Sequence, residues 1–452
     1  MPCDSVTDST MPVRDGAPGA PVCEKKWWLQ CVFPLLMSRA VAISDQPIAL
    51  GRDPDCDLVL SGRETSRRHA QLFVEDGNAV IRDLKTLNGT FVNGRAVTRA
   101  VVKPDDVIRI GELVGRVVYG STECAQSPRA VSVGQGFWAG ATLRTALAPL
   151  RKVAPTTLPI LLEGETGTGK ERVARAIHAW SGRTGPFVGI NCAAIPEHLA
   201  EAELFGYRKG AFTGANQAAV GHLRSAHHGT LLLDEISDLP QKVQAKLLRA
   251  IEEREVQEIG ESRVTPIDVR LLAASRDSLR ERVQDGKFRA DLYARLNGFR
   301  LPLPPLRARK EEIPSLFVQL MEAQLGASAP PIEPALIECL MLYPWPGNVR
   351  ELGLVARRLL GLHGHEERLR LAHLDGTELL QSPESSQSNT TTRDAGLTRD
   401  ERDVQALLAG LRKFEGNLAQ AAICAKVSRQ RAYRLLSQQT DVDLGALRKR
   451  RA

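Results

Sequence analysis

The sequence predicts a multidomain chain: an all-β sandwich, an α/β P-loop domain with a helical lid, and an all-α helix-turn-helix. Three observations predict it. Between Trp27 and Tyr119, short apolar runs alternate with turn residues. From about residue 131, apolar strands of four to six residues alternate with amphipathic helices, and a glycine-rich loop joins one such pair. The last stretch is basic, with eleven Lys/Arg against five Asp/Glu from Glu401 to Ala452. A length of 452 residues suits two to four domains.

Composition excludes several classes. A chain that is 43% hydrophobic and 25% charged is not disordered over its length. No apolar run approaches the ~18 residues needed to cross a bilayer, so no membrane association is expected. The start, MPCDSVTDSTMPVRDG, lacks the basic and apolar regions of a secretory signal. Eight cysteines with no C-x-x-C pair argue against a zinc ribbon, a thioredoxin motif or a disulfide framework. The expectation is reduced thiols in a cytoplasmic protein. Lys+Arg of 60 against Asp+Glu of 53 gives a net charge of +7, most of it in the last segment.

Residues 1–26 read as a disordered arm. The sandwich covers 27–119, with the runs WWLQCVF, AVAI, CDLVL, HAQLFV, AVIRDL, GTFVNG, VIRI and VGRVVY as its strands. A polar linker, 120–130, leads to the α/β domain at 131–375, which turns helical from about Ile313. Residues 376–397 include the Ser/Thr/Gln-rich QSPESSQSNTTTR and read as a flexible linker. Residues 398–452 form the last module.

Gly164-Glu165-Thr166-Gly167-Thr168-Gly169-Lys170-Glu171 follows the strand LPILLE and opens a helix. This is G-x-x-x-x-G-K. Its glycines let backbone N–H groups turn around phosphate oxygens, while Lys170 and the helix N-terminus add positive charge. Further on, Gly229-Thr-Leu-Leu-Leu-Asp234-Glu235 is an apolar strand ending in two carboxylates. Asp234 is the candidate Mg²⁺ ligand, directly or through water, and Glu235 the candidate base for the attacking water. Together the two motifs indicate ATP and Mg²⁺ as cofactors and hydrolysis as the reaction.

Between them stands Gly210-Ala211-Phe212-Thr213-Gly214-Ala215. This loop, with GETGTGKE, INCAAIP, AELFG, LLLDEI, GKFRADLYARLN and PWPGNVREL, resembles the AAA+ activators of sigma-54 RNA polymerase over about 131–375. The resemblance implies that the six-residue loop meets sigma-54 and that Glu171 is ordinary after the lysine. It implies that Asn191 restrains Glu235, that Arg289 and Arg295 are arginine fingers toward a neighbouring subunit, and that Arg350 is a sensor contacting nucleotide within its own subunit. An arginine finger stabilises the charge spreading over a transferred phosphoryl group. Three positions depart from the family. Arg276 stands where a small polar residue or Asn is usual. Arg208, before the loop, and Arg224, in the segment read as the strand leading to Asp234, stand where the family usually has Glu.

Gly51-Arg52, Ser66-Arg67-Arg68-His69, Asn88-Gly89-Thr90 and Asn93-Gly94 come in an order that resembles a forkhead-associated (FHA) domain over 27–119. The resemblance implies phosphothreonine binding. Arg52 and Arg67 would donate charge-assisted bonds, Ser66 a hydroxyl, and Asn88 would hold the ligand backbone. His69 reads as a residue that holds loops.

At the carboxyl end, Val404, Leu407, Leu408 and Leu411 make one helical face. Asn417 can cap a short helix, LAQAAICA, and Ser428 a second one, RQRAYRLLSQ. Helix, short turn and basic helix resemble the Fis-type helix-turn-helix. Ser428, Arg429, Gln430, Arg431, Tyr433 and Arg434 are its candidate DNA-facing residues, with Arg429 and Arg434 contacting either bases or phosphates.

The sequence therefore suggests an ATP-driven sigma-54-dependent activator. Its partners would be sigma-54 and RNA polymerase, upstream double-stranded DNA, and a phosphothreonine protein that is a Ser/Thr kinase or its substrate. It would assemble as a dimer to hexameric ring. The alternative is a DNA-bound, phosphopeptide-responsive regulator whose ATPase no longer hydrolyses.

Overall fold

The computed structural model describes residues 25–121, 128–134, 136–212, 215–374 and residue 407. The chain divides into Met1–Leu380 and Gln381–Ala452, and the first unit is described below.

The amino-terminal sandwich has two sheets. One runs in the spatial order Arg39–Ile43, Lys26–Phe33, Leu113–Gly120, Val107–Ile110, Thr90–Val92, Arg95–Val97. The other runs Leu58–Val59, Ile48–Gly51, Ala70–Glu75, Asn78–Asp83, Arg99–Val102. Leu29, Cys31, Leu50, Leu72, Ile81, Ile108 and Val117 fill the space between them. The first five residues of strand Leu113–Gly120 are buried on both faces rather than alternating. Leu113 and Val117 face the sandwich core, while Val114 belongs to a different core shared with helices farther along the chain.

The α/β domain is a parallel sheet of five strands: β1 (Ile160–Glu163), β2 (Phe187–Asn191), β3 (Thr230–Asp234), β4 (Arg270–Ser275) and β5 (Phe299–Pro302), in the order β2-β3-β4-β1-β5. Helices cover both faces, so β1 and β4 are buried throughout, as their continuous apolar runs require. Register sets the carboxyl ends side by side: Asn191 pairs with Asp234, and Glu163 with Ser275. In an open parallel sheet that edge, where strand order reverses, is where ligands bind.

Helices Ile313–Leu325, Pro334–Leu342 and Asn348–His363 form the lid around Phe317, Met321, Leu336, Leu340, Trp345 and Leu352. Val32, Val107 and Val114 of the sandwich belong to this same core. The sandwich and the lid therefore share one covered apolar surface. Among the described residues no helix is long and apolar enough to cross a membrane.

Candidate functional site

The P-loop links β1 to helix Lys170–Ser181. Gly169 caps that helix at φ 104° and Gly167 sits at φ 81°, a region that favours glycine. A Cβ on Gly167 would fall 2.2 Å from the Gly347 carbonyl. The lid thus approaches the loop as closely as a glycine allows. Asn348, fully buried, fastens the two: its Nδ2 donates to the Thr166 carbonyl at 3.0 Å and to Glu165 Oε2 at 3.1 Å, and its Oδ1 accepts the Leu306 N–H at 2.8 Å. The Val349 N–H donates to the Gly167 carbonyl at 3.0 Å. Arg307 forks onto Glu165 at 2.5 and 2.8 Å, and this bond holds the Glu165 carboxyl below its usual range.

Beside this loop lies a cavity of about 660 Å³. Gly167, Gly169, Lys170, Asp234 and Glu235 line it from the sheet edge, and Arg350 and Arg357 from the lid. The buried Lys170 folds back, its Nζ 2.7 Å from the Gly164 carbonyl and 3.7 Å from Glu235 Oε1. Glu171 turns to solvent and pairs with Arg175 at 2.7 Å. Asp234 Oδ1 accepts the Glu235 N–H at 3.0 Å. Glu235 itself sits at φ 49°, ψ 47°, a left-handed conformation uncommon for a residue with a side chain and typical of positions where function fixes the backbone. Its Oε2 accepts the backbone N–H of Arg276 at 3.1 Å.

The other expected site residues fall in three groups. Asn191 lies beside Asp234 in register, but its Oδ1 accepts the Ala193 N–H at 3.0 Å; in this conformation it is Arg276 and Lys170 that meet Glu235. Arg289 and Arg295 are exposed and away from the cavity. Arg289 precedes helix Ala290–Leu296 and pairs with Asp291 at 2.6 Å, and Arg295 lines a separate cavity of about 380 Å³ together with Arg183, Arg254 and Arg270. Arg350 lines the cavity from the lid; Arg357, seven residues on and on the same helix face, does too.

Of the six-residue loop, Gly210, Ala211, Phe212 and Ala215 are described, and Thr213 and Gly214 lie outside the described residues. The Gly210 N–H donates to the Ala215 carbonyl at 2.8 Å, closing the base of the loop. Phe212 is 39% exposed, with its ring 5.0 Å from that of Tyr207. Arg208 and Arg224, the two arginines expected to depart from the family pattern, share Glu258. Arg224 pairs with Glu258, and Arg208 with Glu258 at 3.5 Å and with Glu261. The two arginines are therefore balanced by acids within the chain. Arg224 is on the short helix His222–Ser225, not on the strand expected from the sequence, because Gly221 starts a turn of helix and β3 begins only at Thr230.

At one end of the sandwich Arg52, Ser66, Arg67 and Asn88 come together on neighbouring loops. The Arg52 N–H donates to the Ser66 carbonyl and the Asp53 N–H to the Arg67 carbonyl, both at 2.9 Å. A Cβ on Gly51 would fall 2.1 Å from the Arg67 carbonyl, which explains the glycine before Arg52. The Asn88 Nδ2 donates to the Glu64 carbonyl at 2.8 Å. His69, fully buried, joins the loops: its Nδ1 accepts the Ser66 N–H at 3.1 Å, and its Nε2 lies 3.1 Å from the Gly89 carbonyl. Arg52 and Arg67 are exposed. The candidate DNA-facing residues Ser428, Arg429, Gln430, Arg431, Tyr433 and Arg434 lie outside the described residues.

Fold and site together define an AAA+ protein carrying a second, all-β domain. The family model for the sigma-54 interaction domain matches residues 139–302, that for the FHA domain 48–111, and that for the AAA+ ATPase lid domain 307–392. The transcriptional regulatory protein ZraR of Salmonella typhimurium is 36% identical over 373 residues, 77% of this chain and 82% of ZraR. The phenol regulator MopR of Acinetobacter guillouiae is 40% identical over 289 residues, 62% of this chain and 52% of MopR. The chain thus spans only about half the length of MopR, and 41% of the regulatory protein LuxO of Vibrio cholerae. The crystal structure of NtrX from Brucella abortus in complex with ATP aligns with a TM-score of 0.51 at 31% identity, covering 68% of each chain. The chain belongs to the sigma-54-dependent transcriptional regulators, as a member with an FHA domain.

Proposed function

We propose that this chain is an ATP-driven activator of sigma-54 RNA polymerase, controlled through its FHA domain by a phosphothreonine protein. The observation that carries the reading is the cavity where the P-loop, the carboxylates of Asp234 and Glu235, and the lid arginines Arg350 and Arg357 converge. Its size suits a nucleotide, and its charges are sorted as phosphoryl transfer needs. Gly164 to Lys170 would cradle the phosphates. Asp234 offers a hard carboxylate oxygen of the kind Mg²⁺ prefers, beside the lysine that would meet the phosphates; the metal, when bound, would neutralise charge on the triphosphate. Glu235, held by the Arg276 N–H, would orient and deprotonate the attacking water. Asn191, next to Asp234 at the sheet edge, would restrain Glu235 in another arrangement of subunits.

Arg289 and Arg295 stay out of their own chain's cavity, which suits fingers acting on a neighbour's nucleotide in a ring. The loop Gly210–Ala215, closed at its base and presenting Phe212, would carry the work to sigma-54. Residues 398–452 would hold dimers at upstream DNA. At the sandwich, Arg52 and Arg67 are exposed beside Ser66, free to take a phosphate, while Asn88 braces the loop that carries Ser66 and Arg67.

A coupled ATPase assay on the full chain with Mg²⁺, with Lys170→Ala as control, tests the reading. Activity that rises per subunit with concentration and is lost in Lys170→Ala supports it; no hydrolysis at any concentration favours the drifted regulator. Calorimetry with phosphothreonine and unmodified peptides tests the FHA arm. Charge-assisted bonds are worth ~1.5–3 kcal/mol, so Arg52→Ala should remove most of the preference for the phosphorylated form.

A further inference from the structure

The sandwich is joined to the lid by buried charge as well as by apolar surface. Arg116 lies on the same face of its strand as Val114, two residues before it. Its Nη1 is 3.0 Å from Glu311 Oε2, off the line of a hydrogen bond, and 3.2 Å from Asp105 Oδ1. Its Nη2 donates to Gln30 Oε1 at 3.0 Å. A second buried acid, Glu338, accepts Arg109 Nε at 2.5 Å and the Gly94 N–H at 2.8 Å.

Glu311 leads further. It belongs to the turn Lys310–Glu312 that starts the first lid helix. Next to it, Glu312 Oε2 accepts Arg309 Nη1 at 3.0 Å. The Nη2 of the same arginine donates to the Thr168 carbonyl of the P-loop at 2.8 Å. Residues 309–312 therefore touch the sandwich on one side and the P-loop on the other. Arg116, Arg309, Glu311 and Glu312 are all buried, two arginines and two carboxyl groups. Arg309 Nε, Glu311 Oε2 and Glu312 Oε1 lack hydrogen bonds already. In such a low-dielectric cluster, loss of one charge is felt by every other member. Without Arg116, Glu311 loses the arginine beside it, next to the Glu312–Arg309 pair whose guanidinium holds the Thr168 carbonyl.

We infer that Arg116 of the FHA sandwich is a positioning residue for the nucleotide site: acting through Glu311, Glu312 and Arg309, it fixes the Thr168 carbonyl, so the P-loop keeps its shape only while the sandwich is docked on the lid. The shape of the loop is a property of the folded chain. Only its consequence for affinity rests on the ATP reading.

Hydrogen exchange on the full chain without nucleotide reads the loop directly. In Arg116→Ala, amides of 164–170 should exchange about tenfold faster or more, while those of β3 and of strand Ala70–Glu75 keep parent rates. Arg116→Lys, which keeps the charge, should restore most of the protection. Affinity for a fluorescent ADP analogue should fall about fivefold in Arg116→Ala. Parent rates across 164–170 in that variant overturn the inference, and so does faster exchange confined to the sandwich. If the alanine variant does not fold, Arg116→Gln carries the same expectation and the same overturning result. A parent protein that does not bind the ADP analogue would defeat the ATP reading, and the exchange rates would still decide the role of Arg116.

Discussion

The backbone N–H of Arg276 lies 3.1 Å from Glu235 Oε2, and it is the peptide, not the guanidinium, that makes this bond. The guanidinium pairs instead with Asp277 at 3.3 Å, and Asp277, held first by Arg282 and then by Arg276, stays below its usual carboxylate range. The Arg276 side chain thus takes no part in the bond that holds Glu235. Arg276→Ala should keep ATPase activity within about threefold of the parent, since a threefold rate change is well under 1 kcal/mol. A fall of a hundredfold or more in a steady-state assay would mean that the guanidinium acts in the reaction.

Arg295 differs, because among the described residues it lines a cavity separate from that of Lys170, Asp234 and Glu235. Removing an arginine finger typically costs 10³–10⁵ in rate. Arg295→Ala should lose activity on that scale while binding nucleotide normally. Adding an excess of Lys170→Ala subunits, whose Arg295 is intact, should restore hydrolysis in the mixture. Unchanged activity in Arg295→Ala measured alone would remove the finger.

Glu258 stands between Arg224 and Arg208, whose carbonyl accepts the Ala211 N–H at the base of the Gly210–Ala215 loop. Glu258→Ala leaves two arginines facing each other with Glu261 as partner to one. The pairs are partly exposed, so the stability cost should be small, roughly 1 kcal/mol or less. The effect expected is on coupling: hydrolysis persists and promoter opening falls. Restoring opening with Arg208→Glu, Arg224→Glu, Glu258→Arg and Glu261→Arg together would show that charge balance, not the sign at each position, is what matters.

Glu312 offers a pH test of the buried cluster. Burial, and to a lesser degree the neighbouring Glu311, push its carboxyl up from 4.5 to about 7, against the opposing pull of Arg309. The folded chain thus keeps a proton that the unfolded chain has released. This contribution is fully present below the unfolded value and is lost as pH rises through about 7, amounting to on the order of 3 kcal/mol. Denaturant unfolding should show stability of the first unit falling as pH rises between roughly 5 and 8, with a shallower slope in Glu312→Gln. Equal slopes in the two proteins would place the titration elsewhere.

Much of this was legible in the sequence. All eight apolar runs named for the sandwich contain strands, and the motifs around Lys170, Asp234 and Gly210 fall where strand, helix and loop require. Ile48–Gly51, Arg95–Val97 and Arg99–Val102 are not legible there, because short strands between turns show too few residues to establish a period of two. Arg357 could have been found from its spacing to Arg350. The bonds from Asn348 to Thr166, Arg309 to Thr168 and Arg116 to Glu311 could not. Each joins residues far apart in the chain, and neither partner shows a local pattern that a buried ion pair or a bridging amide demands.

The central claim is that hydrolysis at the cavity drives promoter opening through the loop, and one measurement addresses it: open-complex formation by the purified full chain on a sigma-54 promoter, with ATP and with a non-hydrolysable analogue, in parallel with Thr213→Ala. The account predicts opening with ATP alone, and a Thr213→Ala protein that still hydrolyses ATP yet opens nothing. Opening that proceeds equally with the analogue, or undiminished in Thr213→Ala, would contradict it.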